Sequence, residues 1–577
     1  MPTDPAGGDD QRRSAVEVIK EKSRWLRGTL VSEVANPDTD HLGEEDKQLL
    51  KFHGSYQQED RDARKNRSRE GVGKHYMFMV RLKLPGGKMT GNQYLALDDI
   101  AGERGNATLR LTTRQSIQFH GIIKKDLKPA IQGMNAALIS TLGACGDVNR
   151  NVIACPAPKN DEPRRLGQQL ADAIAKHLAP RSNAYHDVWL NGQKLGPDAE
   201  QADGVEPIYG KVYLPRKFKT AFGLPHDNCV DVYANDLGFL AAIENGRVVG
   251  YNVLVGGGMG RTSGNKFTFP YLAKPVGFVE PDQVVATAEA VIKFFRDHGN
   301  RADRKRARLK YVVADYGVPK VRDILARDYL GRPLALPRDI PITGVDLHHG
   351  WQPQGDGKWF LGLSVESGRI KDEGRFRLRT GLRKIVERFN PIVRITTQQD
   401  ILLGDIDPAN RPAIDSLLNE HGIDRPEGLS QVRKWSMTCP AIPTCGLAIT
   451  ESERALPGLI TQFEGMLGEL GLGEQQVSIR MTGCPNGCAR PYNSDIGLVG
   501  RSGTKYTLFV GGSHKGDRLS FVLQDLVERD QVVPLVRKLF DRFKVERRTD
   551  EGFGDWCTRQ GVESLCGTLG LPLPKAV

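Results

Sequence analysis

Polar and apolar positions first fall into a clear rhythm at KHYMFMVRLKLPGG (74–87), a run of alternating apolar side chains closed by Pro-Gly-Gly. A period of two ended by a turn signal predicts a β-strand. Upstream, residues 1–74 show no apolar periodicity and carry charge blocks, EEDKQ at 44–48 and QEDRDARKNRSREG at 58–71. Such a segment has little apolar surface to offset the entropy of ordering, and it is expected to be a mobile or loosely docked arm.

The pattern then repeats. LRLTTRQSIQFHG (109–121) returns as VRITTQQDILLGD (393–405), so that Arg110, Thr112, Thr113 and Gln115 match Arg394, Thr396, Thr397 and Gln399, and the same offset lays NVIACPA (151–157) over WSMTCPA (435–441). LPGGK (84–88) has a weaker echo in VESGR (365–369), and the stretch 234–258 resembles 493–513. Self-similarity over such distances implies two duplicated halves. Each reads as strand, helix, strand, a cysteine-bearing loop, a long helix (about 162–178 and 453–470) and a hairpin, with turns at ENGR (244–247) and SGTK (502–505). That order predicts an α+β fold. If the halves pack about a pseudo-twofold axis, their matching loops meet in one central crevice, the natural place for a cofactor.

Composition narrows the class. A chain of 577 residues exceeds one hydrophobic core and should divide into roughly three or four units. Apolar residues make up 39% and charged residues 26%, the mean hydropathy is −0.41, and no apolar run is long enough for a membrane span. MPTDPAGGDDQRRSAVEVIK, at the start, lacks the apolar centre of a signal peptide or anchor, so a cytoplasmic location is expected. The net charge of +11 favours an anionic ligand or an acidic partner.

Nine cysteines, with no secretory signal, argue against a disulfide framework. Four stand in two tight pairs in the second half: Cys439 and Cys445 in TCPAIPTC, Cys484 and Cys488 in GCPNGC. Four thiolates so arranged can surround one metal centre. Structural zinc usually has a knuckle of two to four intervening residues, which C-x5-C fits poorly, whereas a cubane iron–sulfur cluster accepts wider spacing. Burial as small hydrophobes is the plainer alternative, but a Pro-Asn-Gly loop is a poor place to hide thiols. Cys145, Cys155, Cys229, Cys557 and Cys566 have no paired spacing and most read as structural.

The matching regions of the first half carry cations instead. Arg81 and Lys83 lie on the opening strand, Arg110 and Arg114 in the Thr-Thr segment, Arg150 in DVNRNV, and Arg216, Lys217 and Lys219 in YLPRKFKT. Any one alone would be a solvated surface charge. Lys217 and Lys219, at alternate positions, share a face, and two adjacent lysines call for an anion between them. VGGGMGR (255–261) lacks a dinucleotide-binding spacing and reads as a structural turn, His120 as a structural histidine, and RADRKRARLKY (301–311) as one helical face.

Together, TCPAIPTC, TGCPNGCARPY, YLPRKFKT, DVNRNV and RLTTRQSIQFHG closely resemble the hemoproteins of the sulfite and nitrite reductase family. The resemblance runs from SRWLRGT (23–29) and KFHGSYQQEDRD (51–62) to EGFGDWCTRQG (551–561), with Asp550 where the family pattern has glycine. It implies two sulfite/nitrite reductase repeats: a partner-docking arm at 1–74, ferredoxin-like half-domains at 75–145 and 345–430, a siroheme and substrate domain at 146–344, and an iron–sulfur and siroheme domain at 431–577.

It also implies a siroheme coupled to a [4Fe-4S] cluster, held by Cys439, Cys445, Cys484 and Cys488, with Cys488 the axial ligand of the siroheme iron. Arg81, Arg150, Lys217 and Lys219 are then expected around the substrate anion. Arg110, Thr112, Arg114, Gln118, Arg308 and Asn486 are expected around the cofactors. The implied reaction is the six-electron reduction of sulfite to sulfide, with nitrite reduction the alternative within the family. A basic nucleic-acid-binding protein with a structural metal is the alternative outside it. No dinucleotide or flavin motif is recognisable, so electrons are expected from a partner, an NADPH-oxidising flavoprotein subunit or a ferredoxin. The arm, with QQEDRD, looks closer to the flavoprotein-linked type.

Overall fold

The strand expected within 74–87 forms over Tyr76–Arg81, and its neighbours show how the two halves are joined. In the computed structural model, which describes residues 13–181, 188–190, 193–195 and 206–574, it belongs to a five-stranded antiparallel sheet. The order is Ser55–Glu59, Tyr76–Arg81, Ile117–Ile122, Leu109–Leu111 and Arg369–Ile370. The second half builds the same sheet from Gly350–Pro353, Trp359–Leu363, Ile401–Ile406, Ile392–Ile395 and Lys88–Met89. Each half thus supplies the last strand of the other's sheet, capping an edge that would otherwise be open.

The crossing is made by the two segments whose sequence echo was weak. Pro85–Gly87 and Glu366–Gly368 form matching tight turns, with Gly86 at φ 60° and Ser367 at φ 53°. Gly87 and Gly368 follow at φ 70° and 66°, where a Cβ would come 2.5 Å from Ile395 O and 2.8 Å from Leu111 O. Glycine is required there by both conformation and space. The Thr-Thr repeat forms matching strand-turn-strand units, and Gln115 and Gln399 share a left-handed φ (50° and 75°).

Two further sheets carry the loops that converge on the centre. One runs Thr220–Gly223, Leu237–Glu244, Arg247–Val255 and Lys274–Val279, with its first pair parallel. The other runs Ser436–Thr438, Ile479–Thr482, Ile496–Ser502, Lys505–Val510 and Phe521–Glu528, with its first two pairs parallel. The long helices expected in each half are Glu162–His177 and Leu456–Glu469, and both hairpin turns form where the sequence placed them. At the first, Asn245 and Gly246 both have φ > 0, the backbone that matches strand twist. The architecture is the α+β duplication anticipated. No helix among the described residues is long and apolar enough to cross a membrane.

The expected mobile arm is corrected over its described part, since residues 1–12 lie outside the described residues. Helices Ala15–Lys22, Leu30–Ala35 and Glu44–Leu49 pack onto the body through Leu26, Leu49 and Phe52. Strand Ser55–Glu59 is the outer strand of the first sheet and corresponds to Gly350–Pro353. The charges that hid this order are satisfied internally: Lys20 Nζ meets Glu17 at 2.5 Å and Leu214 O at 2.8 Å, and Arg301 meets Glu17 at 2.6 Å. The 301–311 block is corrected too. Residues 301–308 are irregular, and a helix starts only at Leu309.

The halves meet on a buried ion pair. Asp231 and Arg490 occupy matching positions, each in a left-handed conformation (φ 48° and 54°) that opens a single 3-10 turn, Val232–Ala234 and Pro491–Asn493. The Arg490 guanidinium bonds Asp231 through Nε, Thr113 O at 3.3 Å and Thr397 O at 3.1 Å, touching both copies of the Thr-Thr turn. Arg480 adds a second contact to Asp231 at 2.9 Å. Burial alone would raise the Asp231 carboxyl pKa, yet the two arginines hold it below the ordinary value. Asp231→Ala strands both guanidiniums in the interior and is expected to cost about 3–5 kcal/mol, read as a lower urea midpoint. An unchanged midpoint contradicts this role for the pair.

Candidate metal and anion site

Two neighbouring parallel strands bring the first cysteines together. Cys439 directly follows Ser436–Thr438, and Cys484 lies two residues past Ile479–Thr482. Cys439 N donates to Met481 O at 3.3 Å, which fixes the strand ends side by side. The loop carrying Cys445 folds back so that Ile449 N and Thr450 N reach Gly483 O at 2.7 and 3.1 Å. Arg61, in the segment read as an arm, closes this loop from outside through Cys445 O (3.2 Å) and Ala448 O (2.5 Å). Cys488 follows Gly487, whose φ of 61° sets the turn and where a Cβ would lie 2.7 Å from the Tyr492 ring. Its carbonyl accepts from Thr113 Oγ1 of the other half at 3.1 Å.

The sulfurs sit in a setting made for thiolates. Gly483 N–H points at Cys439 Sγ (3.3 Å) and Asn486 Nδ2 at Cys484 Sγ (3.5 Å), while the N–H groups of Leu447 and Ala448 face Cys445. Without a metal these donors are not enough. Burial first, and the neighbouring Cys488 next, push the thiols of Cys439 and Cys445 up and that of Cys484 up to about 12. Only a cation among them lets four thiolates coexist. Cys488 is exposed, Cys445 partly buried and Cys439 and Cys484 buried, so Cys488 is the most open of the four. This donor set fits a sulfur-ligated metal cluster with one ligand open to a second group.

Across the crevice, Phe218 explains the cation pair. Its ring is fully buried and its backbone is clipped to the 148–150 segment, Phe218 N to Val148 O at 3.1 Å and Arg150 N to Phe218 O at 2.9 Å. Lys217 and Lys219 therefore flank it on the opposite face, beside Arg150. Both are half-buried by accessible surface yet ringed by protein atoms, as on the floor of a cleft, and neither has a carboxylate within ion-pair distance among the described residues. Burial, then Arg216 and Arg308, push Lys217 down to about 7, while Cys488 acts in the opposite sense. Burial, then Arg114 and Lys217, lower Lys219 as well. Unsatisfied positive charge converges here.

The remaining expected residues divide. Arg81, at the end of its strand, donates to Cys145 Sγ at 3.0 Å and pairs with the Gln118 amide oxygen, 3.1 Å from Nε. Arg150 Nε holds Gly146 O at 2.8 Å and its guanidinium meets the Tyr56 hydroxyl. Arg114 holds Asn235 Oδ1 at 2.9 Å with its buried Nε unpartnered, and burial, then Arg150, push it down to about 9. Arg110 is turned to Glu453 (2.9 Å) and Thr438 O (3.1 Å) behind the cysteine loop. Thr112 caps its own turn, accepting from Ser116 N at 3.2 Å. Arg308 lies in a two-point pair with Asp236 (2.7–3.0 Å). These three hold protein partners in the structure and position the loops around the crevice.

Several contributors were missed from sequence: Arg490 and Asp231, Arg61, Glu453, Tyr56 and Cys145. A signal existed for one pair. VYAND (232–236) and PYNSD (491–495) are copies of one turn, and the residues just before them, Asp231 and Arg490, have opposite charge. VGGGMGR is a structural turn as read, and it packs on the cysteine loop, Arg261 N reaching Pro485 O at 3.0 Å.

Known proteins place this arrangement. The model for the nitrite and sulphite reductase 4Fe-4S domain matches residues 170–334 and 433–576, and that for the nitrite/sulfite reductase ferredoxin-like half domain matches 70–137 and 352–421. Both match twice, once per repeat. The chain is 44% identical to the sulfite reductase [NADPH] hemoprotein beta-component of Paenibacillus sp. (strain JDR-2), over 97% of this chain and 96% of that protein. It is 43% identical to the sulfite reductase [ferredoxin] of Synechococcus elongatus, over 96% of this chain and 90% of that protein. The solved structure of Mycobacterium tuberculosis NirA shares the fold, with a TM-score of 0.77 at 24% identity, over 96% of this chain and 97% of that one. The doubled fold, the four-sulfur pocket and these matches agree, and the chain belongs to the nitrite and sulfite reductase family.

Proposed function

We propose that this enzyme reduces sulfite to sulfide, with Cys439, Cys445, Cys484 and Cys488 the residues that would hold a [4Fe-4S] cluster and Cys488 the one that would also hold the iron of a siroheme. The observation that carries the reading is the pairing of an exposed cysteine, Cys488, with a group of cations: Lys217 and Lys219, neither with a carboxylate within ion-pair distance among the described residues, and Arg150 and Arg81, held by uncharged partners. When bound, the two cofactors supply an electron relay and an iron on which a small sulfur oxyanion is held.

The protein's part is electrostatic and protonic. Arg81 and Arg150 are fixed by Cys145, Gln118, Tyr56 and Gly146, so their guanidinium planes are oriented before substrate arrives. Lys217, poised near neutrality, gives a proton to a departing oxygen and regains it from water. Arg114, whose buried Nε has no partner, would meet an acid side chain of the siroheme, and Gln118 and Asn486, held by Arg81 and Cys484, are assigned to the same cofactor surface.

We assign the ferredoxin-like halves to about 75–145 and 345–430 and the cofactor-bearing parts to about 146–344 and 431–577, with strand Ser55–Glu59 added to the first half. Electrons come from an external donor. A flavoprotein that oxidises NADPH is the reading preferred here, supported by the 44% identical beta-component, with ferredoxin the competing donor. None of the nine cysteines is in a disulfide, which suits a reducing cytoplasm.

Cys488→Ser is expected to abolish sulfide formation and to shift the heme absorption; normal turnover with an unchanged spectrum contradicts the shared sulfur. Lys217→Met should retain iron and acid-labile sulfide while lowering kcat/KM for sulfite roughly 100-fold. Turnover within twofold of the parent removes Lys217 from the site. The Lys217 ammonium is charged below its pKa and neutral above it, so sulfite affinity should fall as pH rises through about 7. Lys217→Arg keeps its charge, and comparing it with the parent at each pH cancels the ionisation of sulfite itself. Identical pH profiles would exclude this titration.

A further inference from the structure

The pseudo-twofold axis gives the four-cysteine pocket a counterpart in the other half. Cys155 stands in the repeat where Cys439 does. Cys229 stands two residues before Asp231, as Cys488 stands two before Arg490, and the matching threonines confirm the correspondence. Thr113 Oγ1 bonds Cys488 O, and Thr397 Oγ1 bonds Cys229 O. The counterpart place has no second pair of cysteines on an open loop. It is filled by Asp227 and by His348, which comes from the connection between the halves.

Cys155, Asp227, Cys229 and His348 are all buried, and each offers one ligand atom, a sulfur, a carboxylate oxygen or a ring nitrogen, all within 4.8 Å of one another. Cys155 Sγ lies 3.1 Å from Asp227 Oδ2 and 3.6 Å from His348 Nε2, and those two lie 3.3 Å apart. Ligands bound at about 2.0–2.3 Å around one tetrahedral zinc are separated by about 3.3–3.8 Å. Three of the six edges are therefore nearly in place. We propose that this cluster is a structural zinc site, distinct from the iron–sulfur pocket, that ties the connection between the halves to the first repeat.

The surroundings are those of a metal site. Asp346 Oδ2 lies within ion-pair distance of His348 Nδ1, 3.3 Å away, and Asp346 N donates to Asp227 Oδ1 at 3.1 Å. Two thiolates, one carboxylate and a neutral imidazole around a divalent ion leave one negative charge, and the Arg164 guanidinium, 3.3 Å from Asp227 Oδ2, balances it. The mixed sulfur, nitrogen and oxygen set suits zinc. The D-x-C spacing with a distant cysteine and histidine forms no sequence knuckle, so only the fold discloses it.

The test is metal analysis of the holoenzyme purified without chelators, equilibrated with zinc and desalted. The expected content is one zinc per chain, with a zinc-edge X-ray absorption spectrum showing two sulfur and two nitrogen or oxygen neighbours. Cys155→Ser/Cys229→Ser should lose that zinc while keeping iron and acid-labile sulfide. His348→Gln, a milder change, should weaken zinc retention about 10-fold or more. Zinc-free parent protein, a Cys155–Cys229 disulfide in it, or zinc with no sulfur neighbours overturns the assignment. Zinc retained at parental affinity in both variants does the same.

Discussion

One buried charge pair sets the geometry of the whole molecule. Arg490 reaches Asp231, its opposite number in the other repeat, and the carbonyls of both Thr-Thr turns. A guanidinium has enough fixed donors to join those three points at once, which an ammonium cannot do with the same rigidity. Two residues before each member stands a cysteine, Cys488 or Cys229, so the pair also places the metal-binding loops. Burying such charges is costly, and it is sustained because each nitrogen of the Arg490 guanidinium meets an acceptor. Strand exchange between the half-domain sheets provides the surrounding frame.

The two repeats kept a fold and diverged in charge. At one end of the axis the second repeat presents four sulfurs whose charges repel one another until a metal is bound, with Cys488 facing outward. The first repeat faces it with Lys217, Lys219, Arg150 and Arg81, whose charges repel one another until an anion is bound. Each surface is unstable alone in the sense that matters for catalysis: it is organised before its ligand arrives and is completed by it. At the pseudo-equivalent end the same loops are closed, with Asp227 and His348 replacing the open cysteines.

Much of this was legible in the chain. The matched TT-x-Q segments survive because a left-handed glutamine and a threonine-capped turn are local requirements, and local requirements leave local marks. Lys217 and Lys219 could be placed on one face because a strand-like segment alternates, and Phe218 proved to be the buried residue between them. The arm was misread because Glu17, Lys20 and Arg301 are charged residues satisfied by partners far away in sequence. For the same reason nothing in the chain announced Glu453 and Asp236 as partners of Arg110 and Arg308. Composition reports charge, and only the fold reports what the charge faces.

On the reading proposed, the Cys488 sulfur would be a ligand both to the iron–sulfur cluster and to the siroheme iron. A shared thiolate transmits electron-spin exchange between the two. Mössbauer spectroscopy of the oxidised enzyme enriched in iron-57 should therefore show the cluster irons magnetically split by the siroheme spin. A cluster spectrum of unsplit doublets, indistinguishable from an isolated cubane in an applied field, would contradict it.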